Sequence, residues 1–534
     1  MKVIIKYKLL LTCALAFFLA IGSISCKKEK EEESPAVPNL TSSGEQDELF
    51  NKCYANFAVA GNGGENGDSG VDGIDGGTSG YVRQMWNSNE LTTDEAICGW
   101  GEEGIANFCY NTYDASHPML RGYYYRLYTG ISFCNQYLQE FEGFDATMTA
   151  EVRFIRALNY FLLMDGWGNV PFVTGITSEK PQQYSRAEMF NFIESELLEI
   201  EPQLSPAKAK KSSDADYGRV DKAAAWLLLA RLYLNAEVYT GNAQWGKAAQ
   251  YAQQVMSSSY QLNTTGVGSW SAYQMLFMGD NGETSAAYEA IFPILQDGVR
   301  TTSWGTSLFL IASTHDADMA DSNGTTETWG GNRARPELIE KWFPDGDAPE
   351  VGPKDFAKAA SDDRAIIDSR GRIINNEDVG AFKNGFAVAK FNNFTTTGAS
   401  TSSAQFPDTD FFLFRLAEAY LTYAEAQARQ GGGTATGDAA NAINALRKRA
   451  NAATKDSYTL NDICDEWCRE FYYEGRRRMD LIRFGKYGGS SDYTWQWKGG
   501  SYAGRNFEAY KNLFAIPATE LTANSDLVQN EGYK

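Results

Sequence analysis

Across 534 residues, 68 acidic side chains outnumber 48 basic ones, giving a formal charge of −20 at neutral pH. That balance excludes a nucleic-acid partner, which needs clustered positive charge to displace counterions, and it excludes electrostatic adhesion to anionic lipid. Only two His stand beside 29 Tyr, 30 Phe and 12 Trp, a composition suited to burial and stacking rather than to a metal enzyme.

Lys2, Lys6 and Lys8 precede an apolar run from Leu9 to Gly22, which closes on Ser23-Ile24-Ser25-Cys26. The run is shorter than the about 20 residues that cross a bilayer, so residues 1–25 read as a secretory signal peptide. Small residues directly before a Cys look like a bacterial lipobox, in which Cys26 takes the lipids, palmitate among them, and becomes the new N-terminus. The alternative is an ordinary cleaved secretory protein in which Cys26 is incidental. Residues 26–42 begin with the charged stretch Lys27 to Glu33, which cannot pack and reads as a tether. Several acyl chains anchor stably where one is marginal. Six further cysteines permit disulfides without making a disulfide scaffold. Cys464 and Cys468, one helical turn apart, read as helix packing.

The first helix is predicted to start near Ser43, with Leu49, Phe50, Cys53 and Phe57 on one face. Residues 61–80 form a Gly/Asn/Asp loop. Long helices follow at about 119–141, 148–165 and 186–201, with Pro171 and Pro202 just after the second and third. The stretch 221–238 is apolar nearly all round and reads as a buried helix, paired through Tyr239 to Asn242 with a helix over 244–257. A matching pair is predicted at 411–430 and 437–453. Alanines at the crossing points permit the close approach of tetratricopeptide-type hairpins, which must stack to cover their open faces. Residues 263–410, rich in Gly, Ser, Thr and Asn, read as an irregular, partly β insert.

Six segments, in order over most of the mature chain, resemble the SusD/RagB family of outer-membrane nutrient-uptake lipoproteins. They are Glu151 to Tyr160 closing on Gly166-Trp167-Gly168-Asn169-Val170-Pro171; Gly218-Arg219 with Ala230-Arg231; Phe414-Arg415 to Glu418 with Ala424-Glu425-Ala426; Arg447 to Ala450; Glu466, Glu470, Glu474-Gly475-Arg476, Asp480 and Arg483; and Asn512 to Pro517 with Gln529 to Tyr533. Trp467 stands where the family has Arg, and Glu531 where it has Pro. The resemblance implies an all-α fold of four stacked tetratricopeptide-like hairpins, with residues 43–262 and 411–534 forming one helical domain around the 263–410 insert. It implies a cell-surface location in the outer membrane, a SusC-type TonB-dependent transporter as partner, and ligand binding without bond chemistry; no cofactor or metal ligand set is read from the residues. The alternatives are a peptide-binding RagB-type protein, a surface glycoside hydrolase and a helical scaffold with protein partners only.

Glu470, Glu474 and Arg477, at i, i+4 and i+7, read as charges pairing along one helix face. Trp167, Trp226, Trp245, Trp342 and Trp467 read as core. Trp86, Trp100, Trp304 and Trp329 lie in Gly-flanked, loop-like contexts where function concentrates. The family builds its ligand site from the N-terminal loop segment and the insert. The expected oligosaccharide site is therefore Arg83, Trp86, Asn87, Asp94, Trp100 and Asn107 on one side, with Trp304, Trp329, Asn332 and Arg333 on the other. Trp495 and Trp497 are candidates for the transporter interface. Asp68, Asp72 and Asp75 could ligate Ca²⁺, but their spacing favours a plain turn. Gly67-Asp68-Ser69-Gly70 spells a serine-protease nucleophile loop without the β-barrel setting, and only His117 or His315 could serve it.

Overall fold

The computed structural model describes residues 43–68, 70–489 and 492–533. The expected signal peptide, lipidated Cys26 and tether lie outside them. Residues Gln46–Lys534 form one compact unit.

Local signals set the helix ends. His117, weighed above as a catalytic base, instead caps helix Pro118–Phe141: its Nδ1 accepts the Leu120 N–H at 3.1 Å, and Pro118 takes the first helical position. Asp145 caps Ala146–Trp167, which stops at Gly168 with φ 73°. Ser185 and Glu188 form a reciprocal capping box on Arg186–Ile200. The stretch predicted as one helix over 221–238 is two, Lys222–Leu234 and Ala236–Thr240, broken at Asn235.

The architecture is an all-α stack of helical hairpins. Pro118–Phe141 packs on Ala146–Trp167, which packs on Arg186–Ile200; Lys222–Leu234 packs on Trp245–Met256. Trp245–Met256 then packs on Ala417–Gln430, which carries Asp438–Arg449 and Leu460–Phe471. The two predicted hairpins are thus joined directly, with the whole insert looped out between them. Ala248, Ala252, Ala424 and Ala428 are fully buried, as close helix approach requires. No helix among the described residues is long and apolar enough to cross a membrane.

Phe411–Arg415, predicted as the start of a helix, is a strand paired antiparallel with Ala290–Ile294. A continuous apolar run fits either structure, and here the aromatic residues meet a partner inside the insert. Elsewhere the insert is short pieces, including helices Ser307–Ala312 and Pro353–Ala360 and the strand Asn332–Ala334. The six cysteines from Cys53 onward are free and buried, Cys464 and Cys468 on helix Leu460–Phe471.

The charged motif residues are buried and pair across the chain, not along one helix. Leu460–Phe471 ends before Glu474, and Arg477 opens a separate helix, Arg477–Arg483. Arg415 reaches Glu470 at 2.7 Å, Glu474 at 2.7 Å and Glu289 at 3.2 Å. Arg364 joins Asp362, Glu466 and Glu470, and Arg449 bridges Glu289 and Glu470. A second group ties Arg231 and Arg476 to Glu418, and Arg483 to Glu425 and Asp480.

Burial alone would raise the pKa of Glu466 and Glu470, but the surrounding arginines outweigh it and bring both down to about 2. Unfolded Glu carboxyls titrate at about 4.3. Their stabilisation is therefore complete above that value and is lost as pH falls through about 2. Thermal melts between pH 7 and 2 are expected to show stability dropping below about pH 4, less steeply in Glu470→Gln. Parallel acid profiles for the two proteins would contradict this assignment.

Candidate functional site

The short antiparallel pair of Ala96–Cys98 with Asn332–Ala334, in which Cys98 faces Asn332, brings the N-terminal segment onto the insert. Beside it the two segments touch again where Gly80 and Gly305 lie back to back. A Cβ on Gly80 would sit 2.7 Å from Gly305 Cα, and the Arg83 N–H donates to the Gly305 carbonyl at 2.9 Å. Only glycine at both positions permits this approach.

Above that junction lies an open cavity of about 580 Å³, walled by Trp100, Trp304 and Trp329 with Arg83, Glu102, Asp75, Thr78 and Glu327. Trp329 is the middle ring: its centroid lies 6.4 Å from Trp100 and 6.0 Å from Trp304, with interplanar angles of 57° and 56°. The three indoles therefore form a bent arc. Beneath them, Leu308, Ala312 and Phe406 support Trp304 and Trp329. Each indole N–H is used inside the protein: Trp100 donates to Gly330 O at 3.1 Å, Trp304 to Asn66 Oδ1 at 3.3 Å and Trp329 to Glu327 Oε2 at 2.8 Å. Ring orientation is thereby fixed, and apolar ring surface is what remains to meet a ligand.

Polar groups rim the arc. Arg83 is buried with its guanidinium 5.6 Å from the Trp100 ring and paired to the half-exposed Glu102 at 2.5 Å. Glu327 also accepts Gln405 Nε2 at 2.9 Å, and Asp75 accepts the Thr78 N–H at 3.1 Å.

Four of the ten expected residues, Arg83, Trp100, Trp304 and Trp329, share this cavity, and six lie elsewhere. Trp86 and Asn87 belong to the wholly buried helix Tyr81–Glu90; Trp86 stacks edge-on against Phe309 and Tyr473 and donates to Tyr473 O at 3.1 Å. Asp94 is buried, and Arg477 at 2.8 Å overcomes the burial to hold its carboxyl below the usual range. Asn107 is exposed and bonds Thr112 Oγ1 at 3.2 Å. Asn332 bonds Ser313 Oγ at 2.9 Å, and Arg333 is buried on the carbonyls of Asn384 and Gly331. Trp495, weighed as a transporter contact, is also core, stacked on Tyr487. Thr78, Glu102 and Glu327 also line the cavity without any sequence signal beyond Glu327 standing two residues before Trp329, and Asp75, weighed for Ca²⁺, belongs to its rim instead.

Gly331 is a sensitive point. A Cβ there would lie 2.3 Å from the Trp100 ring. Gly331→Ala is expected to cost about 1–3 kcal/mol by overpacking and to red-shift tryptophan emission as Trp100 is pushed outward. Denaturant midpoints and emission spectra check both, and an unchanged spectrum would contradict the placement.

Comparison with known proteins places these features in a family. Residues 296–533 match the model described as "SusD family", and residues 80–234 the one described as "Starch-binding associating with outer membrane". The chain is 39% identical to the starch-binding protein SusD of Bacteroides thetaiotaomicron, over 99% of this chain and 100% of that one. Its fold matches a laminarin-binding SusD-like protein (TM-score 0.66, 22% identity, 92% of this chain and 100% of that one). It also matches surface glycan-binding protein A of B. thetaiotaomicron in complex with laminarihexaose (TM-score 0.66, 20% identity, the same coverage). These relatives are named for binding rather than for catalysis. With two family models matched and a relative 39% identical over nearly the full length of both chains, the chain belongs to the SusD family.

Proposed function

We propose that this protein captures oligosaccharide at the cell surface and passes it to a SusC-type TonB-dependent transporter, held in the outer membrane by lipids on Cys26. The observation that carries the reading is the bent arc of three indoles with polar groups at its rim. Pyranose rings offer flat C–H faces to stack and hydroxyls to bond, and an arc follows a curved chain better than a flat ribbon. The full-length relative named for starch binding supports a starch-like α-glucan as the preferred class. The acids around the arc support binding over hydrolysis: Glu327 accepts from Trp329 and Gln405, Glu102 pairs with Arg83, and Asp75 accepts from Thr78. A hydrolase needs two carboxylates free to act as acid and base.

Affinity electrophoresis through gels holding amylopectin, laminarin, xylan or mannan tests the reading. Retardation by amylopectin is expected. Retardation by another polymer alone would keep glycan capture and discard the α-glucan class. Migration unaffected by every polymer, with retention of a peptide library, would move the assignment to the RagB-type alternative.

A further inference from the structure

A second cavity, of about 360 Å³, opens elsewhere on the insert between Trp270, Phe394, Asp368 and Lys354. Its make-up parallels that of the arc while sharing no residue with it. Trp270 and Phe394 stand nearly parallel, centroids 5.9 Å apart at 27°, and both are only partly buried. Both rings line the cavity.

The polar wall is oriented in advance. Gln274 Oε1 accepts the Ser271 N–H at 2.9 Å, and Asn392 Oδ1 accepts the Phe394 N–H at 3.0 Å. Each amide thus spends its oxygen on the backbone and keeps its NH₂ as a donor. Asp368, 4% exposed, is clamped by Arg370, which also reaches Asp321 at 2.6 Å. Buried His315 lies in the same wall with an unpartnered Nδ1; burial lowers its pKa to about 4, so the ring is neutral at physiological pH. Lys354 is exposed at the rim.

A stacking face, fixed amide donors and a clamped carboxylate are what a sugar ring needs, and an apolar metabolite would leave this wall unpaired. The cavity also touches the first site through one turn. Asn323 lines it, and Asn323 Nδ2 donates at 2.9 Å to the carbonyl of Glu327, which lines the arc.

We propose that this cavity is a second carbohydrate site, taking one or two sugar units on the Trp270 face with Gln274, Asn392 and Asp368 as hydrogen-bonding partners. The proposal rests on the glycan reading of the protein. Two sites on one turn would let a polymer or its branch be held at two points, raising avidity without a tighter single site.

Saturation-transfer NMR of the purified protein with maltotriose, laminaritriose, cellotriose and mannotriose tests it. Trp329→Ala is expected to retain a weak signal, which Trp270→Ala in the same background lowers by about tenfold or more, the scale of an aromatic anchor. Lys354→Ala, an exposed change that leaves the fold intact, is expected to lower it about threefold in that background, roughly one rim contact. Equal signals from Trp329→Ala and the Trp270→Ala/Trp329→Ala pair, with wild type binding, would overturn the second site alone. Loss through Trp270→Ala with no effect of Trp329→Ala would uphold this cavity and overturn the arc as the main site. Silence of the wild type toward all four sugars would overturn both.

Discussion

Trp329→Ala is expected to abolish retardation by the preferred polysaccharide, lowering affinity by on the order of 100-fold. The ring is the only one of the three indoles within stacking distance of both others, 6.4 Å from Trp100 and 6.0 Å from Trp304. Its loss removes the centre of the arc and leaves Glu327 held by Gln405 alone, without the Trp329 N–H at 2.8 Å. Central aromatic anchors carry about 2–4 kcal/mol of binding, a 30- to 1,000-fold range. A site of about 0.1 mM would move to about 10 mM and no longer retard migration. Trp226→Ala is the control, since its ring bonds Glu201 at 3.2 Å on a distant helix. Retention by Trp329→Ala equal to wild type would remove the arc from the binding site.

Arg415→Met is expected to be the most destabilising single change in the scaffold, costing about 3–5 kcal/mol or more. Its guanidinium is fully buried and serves Glu289, Glu470 and Glu474 together, as well as the Glu470 carbonyl at 2.7 Å. Removing it leaves Glu289, Glu470 and Glu474 with only Arg364, Arg449 and Lys390 as cations, so a buried cluster falls one positive charge short, a cost comparable with much of a domain's ~5–15 kcal/mol net stability. Adding Glu470→Gln should cost less than the sum of the two single changes, because one stranded charge goes with the other. Urea unfolding of the two single variants and the double variant measures this. A loss under about 1 kcal/mol for Arg415→Met would mean that the cluster is solvated or rearranges.

Much of the scaffold was readable because its signals are local. Caps, helix periods and alanine crossings lie within a few residues of what they determine, so Pro118–Phe141 and Arg186–Ile200 fall within a residue of expectation. The strand Phe411–Arg415 was not readable, since its partner Ala290–Ile294 lies over a hundred residues away. The same reason divides the expected site residues. Trp100, Trp304 and Trp329 look like exposed aromatics in loops and line one cavity. Trp86 looks the same in sequence, yet its helix is covered on every side by segments that no local pattern reveals. Asp94 and Arg333 read locally as ligand contacts, yet their partners, Arg477 and the Asn384 carbonyl, come from distant segments and take both into the core.

The recognisable motif residues thus serve the scaffold, while the arc draws on side chains outside those motifs. Arg231, Glu418, Glu425, Glu470 and Arg483 are locked in buried ion pairs and tolerate little change. Asp75, Glu102 and Glu327 line the open rim of the cavity, outside the buried ion-pair clusters. Heredity can therefore edit the menu while leaving the chassis untouched: a lineage meeting a new polysaccharide need rewrite only a few rim positions, and a randomised library at those three should yield folded proteins with altered appetite far more often than one at the ion pairs.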